Sequence, residues 1–121
     1  MIERNKETLI KANEAVKNGD NEGFLAYCTQ DVKWTFVGER VLEGKEAVRQ
    51  YMAVNYIKPP QFDVKELIGE NDYVTAIGNI TLEDQNGKPT HYSYCDFWRF
   101  HKGKMAELMA FVIETGDLEE F

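Results

Sequence analysis

The sequence predicts an α+β domain, a curved antiparallel sheet with three helices packed on its concave face. Three observations predict it. Helix-period apolar spacing is confined mostly to the first half of the chain. From Phe62 onward, apolar and aromatic residues follow strand spacing. Gly and Pro break the chain at lengths that suit short helices and single strands. The 121 residues suit one domain, 1–121, with no repeat, linker or low-complexity stretch.

The first helix is predicted over residues 3–18, where Leu9, Ala12, Asn13 and Val16 recur at three-to-four spacing. Gly19 suits the residue just past its end, and Asp20 can cap a second helix over about 20–28 that carries Phe24, Leu25 and Cys28. Residues 32–37 read as a strand with Val32, Trp34 and Phe36 on one face. Gly38 breaks it. Gly44 precedes a third helix over about 45–56, whose stripe is Val48, Tyr51 and Met52. Pro59-Pro60 then enforces an extended turn. Strands follow over about 61–69, 73–83, 90–101 and 104–114. Asn86-Gly87 signals a hairpin, and Lys102-Gly103 joins the last two strands.

The late strands are apolar on both faces. Cys95 and Phe97 alternate with an aromatic stripe. Leu108, Ala110 and Val112 alternate with Met105, Met109 and Phe111. A sheet apolar on both sides must be covered twice. Three helices cover one face, and a homodimer through the sheet is the simple cover for the other.

Net charge is −7. That argues against non-specific binding to nucleic acid or an anionic membrane, which needs a basic surface. No segment approaches the ~20 apolar residues that span a bilayer, and residues 1–7 hold no signal-peptide core. Cys28 and Cys95 fit no zinc or redox spacing and read as reduced core thiols, so a cytoplasmic location is expected. His91 and His101 lack a second ligand at helical spacing and read as exposed or structural, and no metal site is expected. The acidic run Glu114, Asp117, Glu119, Glu120 reads as a solvated tail.

The candidate for chemistry is Asp96. In the run Tyr92 to Phe100, strand alternation puts Tyr92, Tyr94, Asp96, Trp98 and Phe100 on one face. An acid inside an aromatic stripe must pair with a base, reach water, or keep its proton. An edge position facing solvent is the plain alternative. A protonated acid in an apolar site is a hydrogen-bond donor. Arg99 points to the opposite face, where a salt bridge is its expected role. Trp34, Phe36, Tyr51, Tyr94 and Trp98 are the candidate lining of a pocket, unless they simply fill the core. Asn13, on the buried side of the first helix, could bond Asp96 or a ligand.

Several segments come in a telling order: Glu14 to Asp20, Phe24 to Cys28, Asp31 to Trp34, Leu42 to Arg49, Asp96 to Phe100 and Gly103 to Met105. Together they make the chain resemble the SnoaL-like branch of the nuclear transport factor 2-like superfamily, over nearly its whole length. The resemblance implies a cone-shaped α+β fold whose bent sheet wraps a pocket closed by helices. The superfamily spans ketosteroid isomerases, polyketide cyclases, dehydratases, epoxide hydrolases and non-catalytic domains, so fold alone does not give function. In the isomerases the residue matching Asp96 is a protonated oxyanion-hole donor, an established example of a carboxylic acid kept neutral. The resemblance also implies that the polyketide cyclases place an acid/base aspartate on this strand. The isomerases' general base falls on Phe36, their oxyanion-hole tyrosine on Ala12 and its supporting tyrosine on Met52. One of four polar site positions is therefore retained, which argues against ketosteroid isomerisation.

The expectation is a pocket protein for a small apolar or aromatic molecule, with Asp96 as proton donor or oxyanion stabiliser in an isomerase, cyclase or dehydratase. The alternative is a non-catalytic ligand-binding or assembly module of the same fold. No cofactor is implied.

Overall fold

The computed structural model describes residues 1–116. The elements are α1 (Ile2–Lys17), α2 (Asn21–Leu25), β1 (Cys28–Phe36), β2 (Arg40–Glu43), α3 (Lys45–Asn55), β3 (Gln61–Glu70), β4 (Tyr73–Glu83), β5 (Pro89–His101) and β6 (Lys104–Glu114). Glu114 is exposed at the end of β6. Asp117, Glu119 and Glu120 of the expected tail lie outside the described residues.

The apolar stripe of α1 is what buries it. Leu9, Ala12 and Val16 lie within the core, while the charged residues between them stay outside. Gly19 then adopts φ +76°, a left-handed conformation that ends the helix at little steric cost. Asp20 caps α2 by accepting the Gly23 amide at 2.9 Å. The second helix stops at Leu25, shorter than the spacing suggested. The first strand begins at Cys28, earlier than suggested, and its polar stretch Thr29-Gln30-Asp31 coincides with a break in pairing between Cys28 and Lys33.

One curved sheet runs in the order β2-β1-β6-β5-β4-β3. Its pairs are antiparallel except β1 with β6, which run parallel. Tight connections make β3 to β6 a meander in which each strand reverses the last. The separate β1–β2 hairpin then joins the free edge of β6 through β1, in the same direction. The four-residue β2 was not foreseen. It is a short edge strand with a charged residue at each end.

The helices pack on one face. α1 touches β3, β4 and β6, while α3 touches β1 and β2. Between helices and sheet lies the core, with Val32, Trp34, Val74, Trp98 and Phe100 among its members. A register shift between Arg99 and Phe100 places both Met105 and Ala106 inside. Simple alternation had put Met105 on the same side as Met109 and Phe111; the bulge reverses its phase.

Among the described residues, nothing covers the outer face. Tyr73, Phe97, Met109 and Phe111 are each between 37% and 43% exposed, and Val37, Val41 and Ile113 are more so. Cys28 is buried, while Cys95 is only half-buried on this outer face. No helix among the described residues is long and apolar enough to cross a membrane.

Candidate functional site

The inner face of β5 presents Tyr94, Asp96 and Trp98 toward the helices, as alternation requires. What flanks each of them is set by register. Trp98 lies between Val74 and Leu108, which are core residues. Asp96 lies between Ala76 and Ala110. Tyr94 lies between Gly78 and Val112. The side chains beside the acid are thus short, and the space they leave opens into a cavity of about 290 Å3.

Gly78 shapes one wall. A Cβ there would collide with the backbone carbonyl of Asp63 and sit 2.9 Å from the Tyr94 hydroxyl. The glycine lets β3 approach β4 closely, next to a register shift between Val64 and Glu66. It also lets the Tyr94 ring lie toward β4, with its hydroxyl against that strand.

The six candidate residues come together. Trp34 and Phe36 from β1, Tyr51 from α3, and Tyr94, Asp96 and Trp98 from β5 all line this cavity. The aromatic wall is built edge to face. Trp34 makes T-shaped contacts with Phe24, Phe36, Tyr51 and Trp98 at centroid distances of 5.6 to 6.2 Å. Its indole nitrogen is sealed from solvent and has no hydrogen-bond acceptor among the described residues. Phe36 and Tyr51 pack at 5.1 Å, and the Arg40 guanidinium lies over the outer side of Tyr51 at 5.7 Å.

Asp96 makes no ion pair or side-chain hydrogen bond among the described residues. Half-buried in the cavity wall and without a compensating cation, its carboxyl is pushed up to about 7 by burial. Around neutral pH a large part of it therefore holds its proton and can donate. Burial raises the Tyr94 hydroxyl, and the Asp96 charge adds to that rise. Burial likewise raises Tyr51, with a further contribution from Glu39 at the rim.

Other expectations resolve as follows. Asn13 lines the cavity and makes no bond to Asp96. Arg99 bonds Glu107 at 3.3 Å on the outer face. His91 shares a 2.9 Å hydrogen bond with Thr81. Among the described residues, no group of three His, Cys, Asp or Glu side chains converges as a metal site would require. Of the positions where the isomerases carry other polar groups, Phe36 is on the cavity wall, and Ala12 and Met52 are fully buried core.

Several lining residues are not among the sequence candidates, Tyr92, Phe62 and Tyr56 among them. Tyr56, just past the end of α3, faces the same cavity. A signal existed, since Val48, Met52 and Tyr56 recur at four-residue spacing. Tyr56 sits where the helix gives way to Pro59-Pro60, so spacing alone does not fix which way it faces. Burial raises the Tyr56 hydroxyl most, followed by Tyr51 and Asp96.

Comparison with known proteins gives this geometry a family. The model of the SnoaL-like domain matches residues 10–108. No curated protein matches the chain significantly. Among solved structures, the fold is similar to SalBIII, an epoxide hydrolase/cyclase-like enzyme in pyran ring formation of the polyether salinomycin. The TM-score is 0.84 at 20% identity, over 91% of each chain. It is similar to TerC co-crystallised with polyporic acid, with a TM-score of 0.76 at 18% identity, over 88% of this chain and 89% of that one. An NTF2-like protein of unknown function from Burkholderia pseudomallei K96243 gives 0.77 at 20% identity, over 88% of both. At these identities the likeness establishes the fold alone. With the family model covering most of its length, this chain belongs to the SnoaL-like domain family.

Proposed function

We propose that the protein binds a small apolar or aromatic molecule in this cavity and acts on it through Asp96, in chemistry of the isomerase, cyclase or dehydratase kind. The observation that carries the reading is an acid with no ion pair or side-chain hydrogen bond among the described residues, standing in an aromatic cavity between two alanines. A carboxyl kept neutral at that place can donate to a carbonyl or ether oxygen. It can also stabilise negative charge that develops there, without the reorganisation that water would require. Trp34, Phe36, Tyr51, Tyr94 and Trp98 hold the apolar body of the ligand.

Size narrows the ligand. A cavity of about 290 Å3 lies at the small end of small-molecule pockets. At interior packing density it takes about 215 Å3 of van der Waals volume, which suits one or two fused rings. Filling the space beside Asp96 tests the assignment. Ala110→Leu places a side chain next to the carboxyl in a cavity that has room for it. Calorimetry with naphthalene-sized aromatics is expected to detect binding to the natural protein and none to the variant. Equal binding to both would place the ligand elsewhere.

We also propose that the exposed outer face of the sheet pairs with a second copy of the chain. The contiguous stripe of Phe97, Met109 and Phe111, flanked by Tyr73 and Val41, supports a symmetric contact. Sedimentation at micromolar concentration is expected to find a dimer, and Phe111→Asp a monomer. A monomeric natural protein would remove this part of the proposal.

A further inference from the structure

We infer that the start of α1 carries a second ligand site, a cleft between that helix and the β3–β4 and β5–β6 turns, and that it takes a small molecule through one carboxylate group. The site is separate from the cavity of Asp96 and stands whether or not that cavity is catalytic.

The cleft measures about 340 Å3. Arg4 and Asn5 of α1, Asp72 of the β3–β4 turn, Phe100 at the end of β5, and Lys102 and Gly103 of the β5–β6 turn line it. Asn13 and Val16, toward the other end of α1, line the first cavity. Asn5 lies about 12 Å before Asn13 along the helix, with the buried Leu9 between them. No described residue lines both spaces.

Asn5 is the residue that points to a ligand. It occupies the buried stripe of α1, one turn before Leu9, and is only 4% exposed. Its side chain borders the cleft and makes no hydrogen bond among the described residues. An unpaired amide in a buried stripe is destabilising, and an apolar residue there would avoid the loss. A ligand that brings an acceptor removes the loss as well.

The rest of the cleft sets the charge of that ligand. Met1 gives α1 no side-chain cap, so the amides of Ile2, Glu3 and Arg4 have no acceptor within the helix. That end of the helix favours an anion. Arg4 and Lys102 add cationic side chains, neither in an ion pair among the described residues. Glu3 faces Lys6, 3.9 Å away, and does not line the cleft. The Phe100 amide bonds the Asp72 carbonyl at 2.7 Å and ties the two turns together.

Asp72 brings a carboxylate to the same cleft and so limits the anion. A doubly charged phosphate meets twice the repulsion that a singly charged carboxylate meets there. The Arg4 guanidinium can hold a carboxylate through two parallel N–H bonds, and the Asn5 NH2 and the free helix amides can donate others. Phe100 gives the floor an apolar surface for a short carbon chain.

Nitrogen-15 NMR titration of the natural protein at pH 7 tests the site, using butyrate and its uncharged isostere butyramide. Butyrate is expected to shift the Asn5 side-chain NH2 and the Arg4 and Gly103 amides, saturating in the millimolar range. Butyramide should bind at least fivefold more weakly. Equal shifts from the two, or none at these residues, would remove the site. Inorganic phosphate is expected to bind more weakly than butyrate, and phosphate binding as tight or tighter would overturn the carboxylate assignment. Asn5→Leu should weaken butyrate at least threefold while raising the melting temperature of the free protein. Unchanged butyrate affinity, or a lowered melting temperature, would overturn the role of Asn5. Arg4→Gln, at an exposed position, should also weaken butyrate at least threefold. Full affinity in that variant would contradict the bidentate contact.

Discussion

The two faces of β5 treat polar groups in opposite ways. On the outer face, polar side chains pair with each other across strands. Arg99 bonds Glu107, His91 bonds Thr81, and Ser93 bonds Asn79 at 3.0 Å. The apolar groups there, Phe97 and its neighbours, are left uncovered. On the inner face the apolar groups are packed, while among the described residues Asp96 and Tyr56 lack hydrogen-bond partners and the Trp34 indole nitrogen is orphaned. For stability alone, the inner pattern is the wrong way round, because unpaired polar groups cost most where water is scarce. The outer pattern is what a second protein surface could complete, and the inner pattern is what a small ligand with one acceptor could complete.

This contrast can be broken by substitution. The largest effect is expected at Trp34, which is 4% exposed and touches four rings. Trp34→Ala should destabilise the fold by about 3–5 kcal/mol in denaturant unfolding, because the wall cannot collapse into the space left. Loss of less than 1 kcal/mol would mean that the inner face is loosely packed and that the cavity has no defined wall.

Asp96→Asn is expected to have a smaller effect with a definite pH dependence. The carboxyl sits at about 7 folded and about 3.9 unfolded. A group raised in the folded state contributes stability that is fully present below pH 3.9 and is lost as pH rises through 7. Near pH 4 the variant should therefore match the natural protein. Near pH 8 it should be the more stable, by an amount on the order of 2–4 kcal/mol. An equal difference at both pH values would show that the ionisation of Asp96 plays no part.

The smallest effect belongs to the outer face. Both partners of Arg99–Glu107 are more than a third exposed. Glu107→Gln should change stability by less than about 1 kcal/mol in the monomeric Phe111→Asp background, since an exposed pair is screened by water. A larger loss would mean that this face is organised for its own stability and not for a partner.

Much of this arrangement was legible in the sequence, for reasons that also explain what was not. α1, α3 and the four late strands carry apolar periods long enough to fix their type. Asp96 stood out because alternation alone placed it among four aromatics. What escaped depends on non-local pairing or on local irregularity. The parallel contact of β1 with β6 joins strands far apart in the chain. The bulge that buries Met105 follows no period. Ala76 and Ala110 gain meaning only when register sets them beside Asp96. Tyr56 lies in the turn where helical spacing has just ended.

The central claim is that Asp96 is a neutral acid facing a ligand cavity. Carbon-13 NMR of its side-chain carboxyl across pH 3–9 tests this most directly, using Asp96→Asn to assign the signal. The burial and the missing partner require a midpoint near 7. A midpoint at or below the ordinary aspartate value of about 3.9 would contradict the claim, because the group would then be solvated or paired.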